Sequence, residues 1–360
     1  MAWSDEPHSR CNESFHQEED MNIRRTSASV AALAALTALA ACGNGNGDDG
    51  GTDSGTDADS EVQTGSEGDF VTDLEFVTGG TAGTYYPLGG ELSDIFSSNT
   101  DASVNYVESG GSADNLGRIY QEQSQLGLTQ NDTAANAYNG DLQDLEGQEI
   151  DNFGWISNLY PEAMHIVVRE DSGIESVEDL DGTTIAVGDV GSGTRAISDA
   201  IIDYYGIEYT AEETDFGSST EMLADGQIDA TMFVVGVPVA GLTEVSATTD
   251  VELLSLDDSD VEEMVSDEFY ESYSISADAY DFLDEDVTTI SVFAALVAST
   301  TQVSEDLAYD LTAALFDNAG DITLDVGENI STEEALLGIG DIPLHPGAER
   351  YFDEQGIDLP

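Results

Sequence analysis

From Phe70 to the C-terminus the chain alternates short β-branched or aromatic runs with stretches of helical periodicity. That alternation restricts the fold more than any other feature. "DLEFVTGG" reads as a strand, and "TYYPLGGELSDIFSSN" holds a helix with Leu88, Leu92, Ile95 and Phe96 on one face. "ASVNYVESG", "GSADNLGRIYQEQ" and "SQLGLTQ" follow as strand, helix and strand. A βαβαβ order implies an α/β fold on a parallel sheet, with ligand chemistry at the carboxyl ends of the strands.

A second unit repeats the pattern. "AMHIVVRE" predicts a strand, "SVEDLDGTTIAVG" a short helix and a strand, and "TRAISDAIIDYYGI" a helix. "STEMLADGQIDATMFVVG" again runs from helix to strand, with Gly226 as the helix stop. "TTISVFAALVAST" predicts a long apolar strand and "SEDLAYDLTAALFDNAG" an amphipathic helix capped by Ser304. "STEEALLG" predicts a last acid-rich helix before a polar tail. Two α/β units joined by long extended segments predict two lobes, 70–158 with 288–360 and 159–287, and a ligand cleft between them.

The surface of such a fold must carry an extreme charge. Seven basic residues, all arginine, face 75 acidic ones, a formal net charge of −68. The acids lie between apolar positions, as in "AYDLTAALFD", and not in one terminal block. This excludes nucleic acid and anionic membrane surfaces as partners. An acidic surface without lysine resembles proteins of extreme halophiles, where molar salt shortens the Debye length to roughly 3 Å.

The N-terminus reads as targeting. "MNIRRTSASVAALAALTALAACG" starts at Met21, carries the twin pair Arg24 and Arg25, and closes on "LAAC" at Cys42. It resembles a twin-arginine lipoprotein signal over 21–41, with Cys42 as the lipidation site. The apolar run is short for a membrane span. Residues 1–20 read as an upstream extension, and 42–69 as a flexible acidic linker to the anchor. Removing 1–41 takes away three of the seven arginines and six of the 75 acids, leaving a net charge of about −65. Cys11 and Cys42 both lie outside the globular body, so no disulfide framework supports it.

Six glycine-marked motifs appear in order: "TGGTAGTYYPLGG", "VESGGSADNL", "LGLTQND", "GDVGSGTR", "DGQIDATMFVVGVP" and "PLHPGAERYFDEQG". Together they resemble the TAXI family of solute-binding subunits of TRAP transporters, over roughly residues 72–356. The resemblance implies a two-lobed periplasmic-binding-protein fold of type II that closes on a small organic acid or amino acid such as glutamate. It also implies delivery to TRAP membrane subunits from the outer face of the cell membrane, with the lipid anchor as the only membrane contact. No cofactor is implied.

Each matched loop lies between a predicted strand and a predicted helix, where free N–H groups and the helix dipole favour an anion. The first loop offers Gly80, Thr81, Gly83, Thr84 and Tyr85; the second, Ser109, Gly111 and Ser112. Gln130 and Asp132 end the third strand. Ser192, Gly193 and Thr194 face them from the other lobe, and Arg195 is expected to grip a carboxylate bidentately, with a surface pair to Asp199 as the alternative. Tyr160 is placed near the crossover, Trp155 in packing, His165 in a β-run, and His345 in a turn between prolines.

Catalysis is disfavoured. The body holds two histidines, neither in a nucleophile-elbow context, and without lysine no Walker nucleotide site exists. "DDSD" and "DEDV" lack the spacing of a calcium loop, so no metal is expected. A sensor lipoprotein of the same fold is the alternative to transport.

Overall fold

The computed structural model describes residues 64–142, 147–266 and 269–360. The expected extension, signal, Cys42 and most of the linker lie outside them. The first unit runs β1 (Asp73–Val77), α1 (Tyr85–Asn99), β2 (Ser103–Val107), α2 (Ser112–Tyr120), β3 (Leu126–Gln130) and α3 (Asn131–Asn139). The long β4 (Phe153–Arg169) leads to β5 (Thr184–Ala186), α4 (Gly193–Tyr205), β6 (Thr210–Glu212), α5 (Phe216–Ala224) and β7 (Ala230–Val235). Then come α6 (Ala240–Ser246), β8 (Val251–Leu253), α7 (Asp258–Met264), β9 (Glu271–Ile275), β10 (Val287–Ser299), α8 (Glu305–Asp317) and α9 (Pro346–Gln355).

The apolar spacing builds the helices as expected. Leu88, Leu92, Ile95 and Phe96 form the buried stripe of α1, and the Thr100 N–H and hydroxyl both reach Phe96 O to end it. Ser304 Oγ accepts from Leu307 N at 3.2 Å, the cap that starts α8. The Gln130–Asn131 junction differs from expectation. Helix α3 starts immediately after β3, so Asp132 sits in its first turn and not at a strand end.

One sheet carries the order β2-β1-β3-β10-β4-β7-β5-β6, with β8 added to β4 and β9 to β10. Strands β1, β2 and β3 are mutually parallel, as are β5, β6 and β7. Between these halves run β4 and β10, antiparallel to each other and to their outer neighbours β7 and β3. The two long strands therefore belong to both halves. Ile156, Leu159 and Tyr160 of β4 pack into the core beneath α1 and α8, whereas Met164, Ile166 and Val168 pack with Ile197 and Ile201 of α4. In β10 the change falls between Val292 and Ala294. The crossings between the halves are continuous, hydrogen-bonded strands and not loose linkers.

Two corrections concern the C-terminus. Residues 332–338 form turns, not a helix, and the expected polar tail contains α9. Tyr351 and Phe352 supply its apolar face, and Pro346 at the first turn follows the His345 cap, whose Nδ1 accepts from Gly347 N at 3.2 Å. A backbone bridge between Trp155 and Leu344 ties this segment to β4, through Trp155 N to Pro343 O and His345 N to Trp155 O, both 2.9 Å. Trp155 is fully buried beneath it. Among the described residues, no helix is long and apolar enough to cross a membrane. Among the described acidic side chains, only Asp132 and Glu162 are buried.

Candidate functional site

A cavity of about 260 Å³ lies where six parallel strands end. Gly79 and Gly80 follow β1, residues 108–111 follow β2, Gln130 closes β3, Gly188 follows β5, Thr214 follows β6, and Val235 closes β7. The two parallel half-sheets thus aim their carboxyl ends at one space, the geometry that makes an α/β switch point a ligand site.

The helices that leave these strands turn their N-termini toward the same space. Thr84 and Tyr85 begin α1, Gly111 and Ser112 α2, Gly193 and Thr194 α4, and Phe216 and Gly217 α5, and all eight line the cavity. Gly111 holds φ +107 and Gly188 holds φ +97, conformations that admit these tight loop-to-helix turns only without a Cβ. Some orphan N–H groups are already partnered: Ser192 Oγ accepts from Arg195 N at 3.2 Å, and Asp215 Oδ1 from Ser218 N at 3.0 Å. Helix α1 has no side-chain cap.

The two halves touch across the cleft. Gly191 O accepts from Ala113 N at 3.0 Å and Asp114 N at 3.2 Å, so a carbonyl from the β5–α4 loop caps helix α2. Gly236 N donates to Thr84 Oγ1 at 3.1 Å. A Cβ on Gly193 would land on the Gln130 side-chain amide, so this glycine is what lets the halves approach.

Glu162 lines the cavity beside Tyr85 and Gln130. It is 2% exposed and is the one acidic residue of β4. Its Oε2 accepts from Tyr85 Oη and Gln130 Nε2, both at 3.0 Å, and its Oε1 from Tyr160 Oη at 3.2 Å. Burial pushes its pKa up to about 8, the three hydrogen bonds opposing and the charge of Asp132 adding to the rise. Glu108, Asp189 and Asp215 also line the space. Burial works against ionisation of Asp215, but hydrogen bonds from the Ser218 side chain and backbone hold its carboxyl below the ordinary value. Phe216, Met232 and Phe233 form the apolar wall, with the two rings 4.0 Å apart.

Eleven expected residues, Gly80, Gly83, Thr84, Tyr85, Ser109, Gly111, Ser112, Gln130, Ser192, Gly193 and Thr194, line this one cavity. Thr81, Asp132 and Arg195 do not. Arg195 was expected to face a carboxylate, and instead its Nε donates to Asp199 at 2.8 Å and its Nη1 to Glu213. In a body this acidic, the solvent-facing side of the helix offers an arginine two carboxylates at once, without the desolvation that a move into the cavity would cost. The other three arginines among the described residues are also engaged: Arg118 with Asp114, Arg169 with Leu223 O and Ile228 O, and Arg350 with Glu305 and Asp306. Arg195→Ala should therefore leave the affinity for a cavity ligand unchanged in calorimetry, and a clear loss would show that the side chain swings into the cleft.

Sequence reading did not find Glu162. The signal was available, a lone acid inside "SNLYPEAMHIVV". His165 and His345 are both buried and lie outside the cavity lining, and burial lowers each pKa to about 4. His165 bonds Ala163 O through Nδ1 at 2.9 Å and Tyr280 Oη through Nε2 at 3.0 Å. Among the described residues, no group of three or more His, Cys, Asp or Glu is arranged to hold a metal ion.

The NMT1-like family model matches residues 76–356, from β1 to the end of α9. The chain belongs to the NMT1-like family. The α/β architecture of this NMT1-like chain is shared with a solved structure. MatC from Rhodopseudomonas palustris, solved with bound malate, superposes with a TM-score of 0.50 at 15% identity, covering 79% of this chain and 96% of that one. PhnD1 from Prochlorococcus marinus, in complex with methylphosphonate, gives 0.49 at 12% identity, covering 79% and 98%. The GluR0 ligand-binding core from Nostoc punctiforme, in complex with L-glutamate, gives 0.42 at 13% identity, covering 78% and 98%. The NMT1-like chain thus shares its fold with MatC.

Proposed function

We propose that this protein is an extracytoplasmic receptor that captures a small carboxylate, with glutamate as the first candidate, and delivers it to TRAP transporter membrane subunits. The observation that carries the reading is the convergence of four helix N-termini, from the two parallel half-sheets, on one cavity with no cationic side chain in its lining. Partly unpaired N–H groups and aligned helix dipoles supply the positive potential that a buried arginine would otherwise provide. The ligand contacts we assign are the eleven residues that line the cavity, with the hydroxyls of Thr84, Ser109, Ser112, Ser192 and Thr194 orienting the anion.

Lobe 1 (70–158 with 288–360) and lobe 2 (159–287) close on the ligand by bending β4 and β10. The coupling to TRAP subunits rests on the six ordered motifs, and the outer-face location on the twin-arginine signal and the lipobox ending at Cys42. The lone fixed membrane contact in this reading is the lipid on Cys42.

A ligand that binds only the closed, folded state raises the melting temperature. A thermal-shift panel in molar KCl should show a rise for amino acids, 2-oxo acids or dicarboxylates and none for sugars or nucleotides. A sugar or nucleotide response with silent acids would overturn the reading.

A further inference from the structure

The cavity presents two opposite chemistries side by side, and each has a group that the protein itself leaves unanswered. On the anion-attracting side, Tyr85 opens the uncapped α1, and Gly193 and Thr194 open α4 ahead of the residue that Ser192 caps. On the other side, Glu162 receives three neutral donors, and none of them carries a positive charge. Beside it Gln130, only 2% exposed, gives its Nε2 to Glu162, which turns its Oε1 toward Gly193. That oxygen is buried with no hydrogen-bond partner in the protein. A buried acceptor without a donor costs roughly 1–3 kcal/mol, so a site that keeps one is shaped for a donor that arrives from outside.

The two sides are adjacent. Tyr85 lies at the start of α1 and its own hydroxyl reaches Glu162; Gly193 opens α4 and abuts the free Gln130 oxygen. With Glu108, Asp189 and Asp215 around the same space, a dianion meets several carboxyl groups and no side-chain cation. A ligand with one carboxylate and one neighbouring ammonium fits both sides.

We infer that Glu162 and Gln130 determine specificity, receiving the ammonium of an α-amino acid whose carboxylate sits at the starts of α1 and α4. This inference rests on the receptor reading above and narrows its carboxylate to a zwitterion. Arrival of the ammonium favours the ionised Glu162 carboxyl, which gives its proton to solvent, while Tyr85 from α1, Tyr160 from β4 and Gln130 from β3 hold the carboxyl in place. Asp132 from α3 is the further charge that acts on it.

Calorimetry in molar KCl with matched pairs tests the inference: each of several L-amino acids against the 2-oxo acid of the same side chain, with putrescine as a carboxylate-free amine. At least one amino acid should bind at least tenfold tighter than its 2-oxo partner and than putrescine. Glu162→Gln should remove that preference without lowering the melting temperature. Should the variant fail to fold, the pairwise preference of the unaltered protein still decides. A 2-oxo acid or dicarboxylate that binds as tightly as any amino acid overturns the inference and leaves the receptor reading standing. Equal binding of putrescine, or an unchanged preference in folded Glu162→Gln, also overturns it. Silence across every acid overturns both.

Discussion

Glu162→Gln should gain stability over the unaltered protein steadily as pH rises from about 4.5 to 8. The folded protein holds the Glu162 proton up to about pH 8, because burial penalises the carboxylate and Asp132 repels it. In the unfolded chain the same group gives up its proton near the model value of 4.5. Between those values the native state binds the extra proton, so its stability is complete below the lower pKa and is lost toward the upper one. Glutamine does not titrate, and the difference between the two proteins should grow by on the order of 4 kcal/mol across the window.

His165 and His345 act with the opposite sign, since burial lowers both to about 4 and their contribution is lost as pH falls from 6.5. They are present in both proteins and cancel in the difference. Denaturant unfolding in molar KCl at a series of pH values reads the slope. A flat difference would mean that the Glu162 carboxylate is solvated, which would remove the dry polar wall from the site.

Gly347→Ala should cost roughly 3 kcal/mol or more and lower the melting temperature by roughly 6–10 °C. A Cβ there would collide with Glu305 O, lie 2.5 Å from Tyr309 N and lie 2.8 Å from Ala308 Cβ. Two of those three atoms are backbone of helix α8, which cannot yield as a side-chain tip can. Helix α9 would have to lift, and with it Tyr351 and Phe352, whose rings pack 5.6 Å and 5.9 Å from Phe316. The bridge from Leu344 to Trp155 would loosen at the same time. Gly320→Ala is the matched control, because no atom lies within 4 Å of its added Cβ. Equal melting temperatures for the two variants would show that α9 docks with slack.

These two glutamate and glycine effects mark the limit of what local sequence reveals. The stripe of α1, the Ser304 cap and the parallel β1–β3 unit were legible because period, cap chemistry and chain order are local properties. The cavity-facing loops were legible too, since a glycine-rich turn between strand and helix exposes backbone N–H groups wherever it occurs. Arg195 misled for a physical reason. An arginine just after Ser-Gly-Thr can turn either way around the helix start, and the choice depends on Glu213, eighteen residues further along. Helix α9 was hidden because its short apolar face, Ala348, Tyr351 and Phe352, sits among charged residues and acquires meaning only against α8.

The sequence by itself determined the α/β class, the two-unit order, the acidic surface and the loops that would turn toward a ligand. Periodicity, turn chemistry and composition act over a few residues, so they survive in a linear string. Tertiary structure alone decided that Glu162 would be buried, that Tyr85, Tyr160 and Gln130 would meet on it, and that every described arginine would be engaged elsewhere. Those outcomes depend on desolvation and on contacts between residues far apart in the chain, and neither exists until β4 and β10 bring the two halves together.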